Sequence, residues 1–228
     1  MEFTLAENLS KKLQININNI VREYWEMFIL NELYASSLAS VLIFKGGTAL
    51  RLIYNSPKFS EDLDFSLIEK INFKDFEEII KKIVASQSEL SVKEIASKRY
   101  TYFALIKFQQ NYLMKTLSIK IEISKRKTGY KNFNSLIASS PTSNFKPLLK
   151  VFTLDHILKD KFQALLTRRK ARDLFDAWFI KELLRNKQII LPDTLIVAQN
   201  IKQELHKLLP KNYHSIISEL IKYAKKNK

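Results

Sequence analysis

Phe44-Lys45-Gly46-Gly47-Thr48-Ala49-Leu50 is followed, after a short connection, by Phe59-Ser60-Glu61-Asp62-Leu63-Asp64-Phe65, and these two stretches decide the fold. The first leaves an apolar run at 41–44 that reads as a strand, passes a glycine pair, and enters a helical pattern at 48–54. The second leads into a strand at 63–67, too short for a helix and bracketed by a loop. The whole chain of 228 residues has only 3 glycines, so two adjacent ones are informative. Glycine permits positive φ and close backbone approach, and the helix N-terminus that follows offers free N–H groups and a favourable dipole to phosphate. Alone, Gly-Gly-Thr is also compatible with an ordinary tight turn. It is not a Walker loop, because Lys45 precedes the glycines, and it lacks the third glycine of a dinucleotide fingerprint.

Asp62 and Asp64 are two apart on a strand and so share one face, while Leu63 and Phe65 point to the core. Carboxylates side by side repel unless a cation or proton lies between them, which suits a Mg²⁺ site completed by nucleotide phosphate oxygens. An isolated Asp-x-Asp reads first as the end of a solvated acidic strand. Joined to the glycine turn, it sets a triphosphate cradle, Gly46, Gly47, Thr48 and Ser60, beside a metal pair.

Outward from this unit, residues 18–38 place Ile20, Val21, Tyr24, Trp25, Phe28 and Leu33 at helical spacing, and 72–85 repeats the pattern. Trp25, Phe28, Trp178 and Phe179 lie among apolar neighbours and read as core. Strands are expected at 90–95, 100–108 and 117–123. The last alternates, with Ile119, Ile121 and Ile123 on one face and Lys120 and Glu122 on the other. Residues 124–147 turn basic and polar, with two prolines, and read as a connection or insertion loop. Helices then follow at 153–168, 171–184, 192–209 and 213–224. The expectation is an α+β fold, with residues 1–147 forming the α/β region with its N-terminal helices and 148–228 a helical region that completes the site.

The chain has no cysteine, and its 3 histidines, His156, His206 and His214, lack zinc-ligand spacing, so any metal is expected to be held by oxygen. The N-terminal residues carry no leader pattern and no stretch reaches membrane-spanning length, so a cytoplasmic protein without membrane contact is expected. Lysine and arginine number 38 against 23 acids, a formal charge of +15, which favours a polyanionic partner, nucleic acid first. Basic clusters stand at Lys125-Arg126-Lys127, Arg168-Arg169-Lys170 and Lys225-Lys226.

Two further motifs follow the sheet: Asp160-Lys161-Phe162-Gln163-Ala164-Leu165 and Arg172-Asp173-Leu174-Phe175-Asp176-Ala177-Trp178. Lys161 shares its helix with Phe162, Leu165 and Leu166, where a cation can reach a triphosphate and offset charge on leaving pyrophosphate; taken alone it also reads as a plain surface lysine. Asp173 and Asp176 share a helix face, and Arg172 can pair with either or with phosphate. The alternative is a structural ion-pair network with Arg168, Arg169 and Lys170.

The four motifs in order, over roughly 44–180, resemble the signature of the AbiEii/AbiGii-type abortive-infection toxins, polymerase β-like nucleotidyltransferases of toxin–antitoxin and phage-defence systems. The resemblance implies a polymerase β-like mixed sheet with flanking helices. It implies metal on Asp62 and Asp64, roles for Lys161 and Asp173, and Glu122 as a candidate third carboxylate on a later strand. Asp176 and Arg172 are weaker candidates. It further implies Mg²⁺, with Mn²⁺ as the alternative ion, NTP as substrate, and a cognate antitoxin. The acceptor it implies is RNA such as the tRNA 3′ end. Two other readings stand beside it: a catalytically inactive nucleic-acid-binding module of the same fold, and an enzyme that modifies a protein hydroxyl.

Overall fold

The structure is a computed structural model that describes residues 1–185 and 198–226. Two helices lead in, α1 (Phe3–Leu13) and α2 (Ile17–Ala35). Asn16 caps α2 by accepting the N–H of Asn18. The helix expected over 18–38 stops earlier, because Ser36 turns its hydroxyl to Leu33 O and opens a separate 3₁₀ turn, Ser37–Ser40. Then come β1 (Leu42–Lys45), α3 (Gly46–Leu52), β2 (Asp62–Leu67), α4 (Phe73–Ala85), β3 (Leu90–Ser97), β4 (Thr101–Phe108) and β5 (Leu117–Ser124).

The polar segment 124–147, expected to be a loop, contains β6 (Phe133–Ile137), which pairs antiparallel with β7 (Leu148–Phe152). The expected division at residue 147 thus falls between two paired strands of one sheet. Helices α5 (Leu154–Arg168), α6 (Ala171–Leu184), α7 (Ala198–Leu208) and α8 (Ser215–Lys226) follow. The part of the expected 192–209 helix before Ala198 lies outside the described residues.

The sheet has seven strands in the order β3-β4-β5-β2-β1-β7-β6, with β1–β7 and β2–β5 parallel and the other pairs antiparallel. It is a mixed sheet with flanking helices, an α+β fold. The alternation of β5 has its expected result: Ile119, Ile121 and Ile123 are fully buried, while Ser118, Lys120, Glu122 and Ser124 are less so. One apolar cluster joins those isoleucines with Leu63, Phe65, Trp25, Phe28 and Phe76, filling the space between the sheet and α1, α2 and α4. A second gathers Ile43 and Phe152 with Leu158, Leu174, Phe175, Leu205 and Leu220 of the C-terminal helices; Trp178 and Phe179 pack partly buried against it. Polar residues of β2 and β5 therefore face the side on which α5 and α6 lie. No helix among the described residues is long and apolar enough to cross a membrane.

Candidate active site

The two glycines do separate work. Gly46 adopts φ +83°, and a Cβ there would lie 2.6 Å from Asp64 Oδ2. A side chain would be strained and would also strike the carboxylate. Gly47 faces the other way: its Cβ would meet Ser60 Oγ at 2.9 Å, Lys58 Nζ at 3.3 Å and Asp176 Oδ2 at 3.5 Å. The first turn of α3 is thereby laid between the strand carboxylates and a buried ion cluster. No side chain caps that turn. Helix α3 begins at Gly46, two residues before the expected 48–54 boundary, so both glycines belong to the helix itself.

Thr48, expected to add a hydroxyl to phosphate, is fully buried, and its Oγ1 donates to the Asp62 carbonyl. Its side chain therefore pins α3 to the start of β2 rather than facing the cleft.

Strand register gathers the carboxylates. Asp64 of β2 lies opposite Lys45 of β1 on one side and Glu122 of β5 on the other, while Asp62 lies opposite Lys120. Lys120 Nζ sits 3.3 Å from Asp62 Oδ2 and 3.1 Å from Glu122 Oε2. Burial works against its charge, but Asp62 and Glu122 outweigh that and hold the ammonium above the usual lysine range. Asp64 is pushed above the usual carboxylate range by burial first and by the neighbouring Asp62 next, against the pull of Lys161 and Lys120. Glu122 is thus in the site but turned to a lysine. Among the described residues no three carboxylate or imidazole groups converge as a preformed metal cage. An Asp pair with one carboxyl held against its own ionisation fits Mg²⁺, which is commonly bound by one or two carboxylates together with substrate phosphates.

Opposite this face stands the ion cluster of α5 and α6. Lys161 Nζ, buried, lies 3.2 Å from Asp173 Oδ1 and 2.8 Å from Asp176 Oδ2. Burial lowers its basicity, but Asp176 and Asp173 overcome this and raise it above the usual value. Arg168 grips Asp173 with both Nε and Nη2, at 2.7 and 2.8 Å. Burial would raise the Asp173 carboxyl, yet Arg168 and Lys161 hold it below its ordinary range. Asp176, 1% exposed, has a second cation, Lys58 Nζ, at 3.3 Å. Burial lowers the pKa of Lys58. Lys58 is a buried member of this cluster with little signal in the sequence, because a lysine in a loop normally means solvent; its one hint is adjacency to Phe59-Ser60.

A cleft of about 480 Å³ separates the two clusters, lined among others by Gly46, Asp64, Glu122, Arg126, Lys161 and Arg168. The structure thus brings Gly46, Gly47, Ser60, Asp62, Asp64, Glu122, Lys161, Asp173 and Asp176 into one region. Arg172 does not join them: its Nε is 3.6 Å from Glu204 Oε1, an ion pair that ties α6 to α7, rather than partnering either aspartate. Asp173 is fully buried and bonded, so it can act only through Lys161 and Arg168. Among the basic clusters, Arg126 and Arg168 line the cleft, Arg168 while paired with Asp173, and the side chains of Lys225 and Lys226 lie outside the described residues.

Solved structures share this arrangement of chain. JHP933 from Helicobacter pylori superposes with a TM-score of 0.56 at 19% identity, covering 93% of this chain and 95% of that one. MenT4, nucleotidyltransferase toxin Rv2826c from Mycobacterium tuberculosis H37Rv, gives 0.59 at 15% identity, covering 91% and 82%. Among curated proteins, none matches. Residues 29–220 match the family described as nucleotidyl transferase AbiEii toxin, type IV toxin–antitoxin system. The fold is that of a nucleotidyltransferase, and the protein is an enzyme of that class. The chain belongs to the AbiEii toxin family.

Proposed function

We propose that the protein transfers a nucleoside monophosphate from an NTP to an RNA acceptor such as a tRNA 3′ end, as the toxin of a toxin–antitoxin pair. The observation that carries the reading is the undercompensated pair Asp62 and Asp64 beneath the Gly46 turn, facing buried Lys161 across a cleft large enough for a nucleotide.

Asp62 and Asp64 would hold Mg²⁺, or Mn²⁺ in its place, which would supply charge neutralisation at the phosphoryl oxygens. The backbone at Gly46 and Gly47, with Ser60 beside it, cradles the triphosphate, and Thr48 keeps that turn registered on β2. Lys161 presents its ammonium to the phosphates, held there by Asp173 and Asp176, and offsets charge on leaving pyrophosphate. Glu122, with Lys120, borders the acceptor side, where a hydroxyl proton can be received. Most of the rate enhancement comes from positioning and neutralisation. The +15 charge and Arg126 at the cleft favour an RNA acceptor over a protein hydroxyl.

Incubation of the purified protein with Mg²⁺, total RNA and each labelled NTP in turn tests the reading. Label is expected in RNA with one or a few NTPs; label only in protein, or none with any nucleotide, overturns it.

A further inference from the structure

A cavity larger than the cleft between the charge clusters lies beside the entry to β2. It measures about 960 Å³ and opens at the end of the sheet where β2 and β5 begin, between the α1–α2 connection and the C-terminal end of α7. Its walls are tied together: Asn19 Nδ2 donates to Lys207 O at 3.0 Å, Lys211 N to Gln14 O at 3.0 Å, and Phe59 N to Leu208 O at 2.8 Å. It is therefore a built feature spanning remote parts of the chain.

Lys11, Arg22, Lys115, Lys207 and Lys211 line it together with His206 and His214, against one acid, Glu61. That acid is already engaged, with Oε1 2.9 Å from Arg22 Nη1. Arg22 is buried with its Nη1 turned to Glu61, and it adds positive charge to the cavity wall. The rings of His206 and His214 stack 4.3 Å apart, and His214 Nε2 donates to Leu209 O at 3.1 Å. Lys115, Lys207 and Lys211 are exposed and have no acidic partner among the described residues. Such a lining suits a chain of phosphates and disfavours an apolar metabolite.

We infer that this cavity binds the phosphodiester backbone of a nucleic-acid strand and directs that strand to the catalytic carboxylates. The inference builds on the RNA-acceptor reading above and adds the place where the strand is held. Glu61 borders the cavity and directly precedes Asp62, and from Glu61 to Asp64 an extended strand covers only ~10 Å. A strand seated among these lysines ends within reach of the cleft.

The test is fluorescence anisotropy of a 5′-fluorescein single-stranded RNA between about 50 and 200 mM salt. The variant Lys115→Gln/Lys207→Gln/Lys211→Gln changes exposed side chains only. It is compared with Lys70→Gln/Lys74→Gln/Lys93→Gln, the same charge change at exposed positions near α4 and β3. The cavity variant is expected to raise Kd about tenfold or more and to flatten the slope of log K against log salt by about 0.7 for each phosphate no longer neutralised. The control is expected to stay within about twofold. Equal weakening by both variants, or none by the cavity variant, overturns the inference. So does parallel loss of NTP affinity, which would make the cavity a mononucleotide site. An acidic protein partner as occupant would leave RNA affinity unchanged, which also counts against it. The readout is binding, so wild-type protein that holds RNA here but labels none would sink the transfer reading and leave this site standing.

Discussion

On the sheet side of the cleft, Asp62 and Glu122 share a single ammonium, Lys120, and Asp64 has no ion pair among the described residues, whereas on the helical side Asp173 and Asp176 share three cations, Lys58, Lys161 and Arg168. The first group is partly exposed and its Asp64 resists ionisation; the second is buried and its Asp173 ionises more readily than usual. The contrast separates two uses of charge. Compensated buried ions hold a geometry, and their carboxylates have no spare affinity for a ligand. Undercompensated ones store repulsion that a bound cation relieves. Lys161 belongs to the compensated group by contact and to the cleft by position, and so links the two.

The largest effect is expected from Asp64→Asn, and similarly from Asp62→Asn. Transfer should fall by at least about 100-fold, the order lost with one transition-state stabiliser. The same change should not lower the melting temperature in EDTA and is expected to raise it, because it removes the repelling charge. The sign follows from Asp64's raised pKa. Its ionisation costs folding stability, a cost absent below the unfolded-state pKa and fully present above the folded one. In wild type, Mn²⁺ affinity read by water proton relaxation should drop as pH falls through that raised pKa, and Asp64→Asn should remove this step. A strongly destabilised Asp64→Asn in EDTA would mean the carboxylate belongs to the compensated kind.

Lys161→Met is expected to do the opposite. Removing one partner of a buried ion pair costs about 3–5 kcal/mol, so denaturant unfolding should shift well down. Adding Asp176→Asn should recover part of the stability while leaving transfer low. Recovery of both would reduce Lys161 to a structural lysine.

Gly46→Ala sits between the groups in effect. A left-handed residue with a Cβ costs ~1–2 kcal/mol, and the displaced Asp64 carboxylate should lower transfer by about tenfold to 100-fold, since small misplacements at a reacting centre are expensive. Full activity would show that the Gly46–Asp64 approach is not needed. The smallest effect is assigned to Arg172→Ala. Its pair with Glu204 is partly exposed, so stability should change by no more than about 1 kcal/mol, with transfer near wild type. A large loss of transfer would return Arg172 to the site.

The sequence by itself determined the parts in which spacing along the backbone fixes direction. A two-residue period put Asp62 and Asp64 on one face of their strand and Lys120 with Glu122 on one face of theirs; a helical period put Asp173 beside Asp176. The scarcity of glycine singled out the Gly46-Gly47 turn. What only the tertiary structure decided is which of these faces meet. Strand β6 is an edge strand with mostly exposed side chains, so it leaves little hydrophobic pattern to read in a polar segment. The pairing of Asp64 with Glu122, the burial of Lys58 against Asp176, the turn of Arg172 toward Glu204 and the commitment of Thr48 to the Asp62 carbonyl all depend on segments far apart in the chain. So does the basic cavity, whose walls come from α1, α2, β5 and α7. Local periodicity sets where a side chain points, but its charge is used or neutralised by whatever the packing of remote segments brings within a few ångströms.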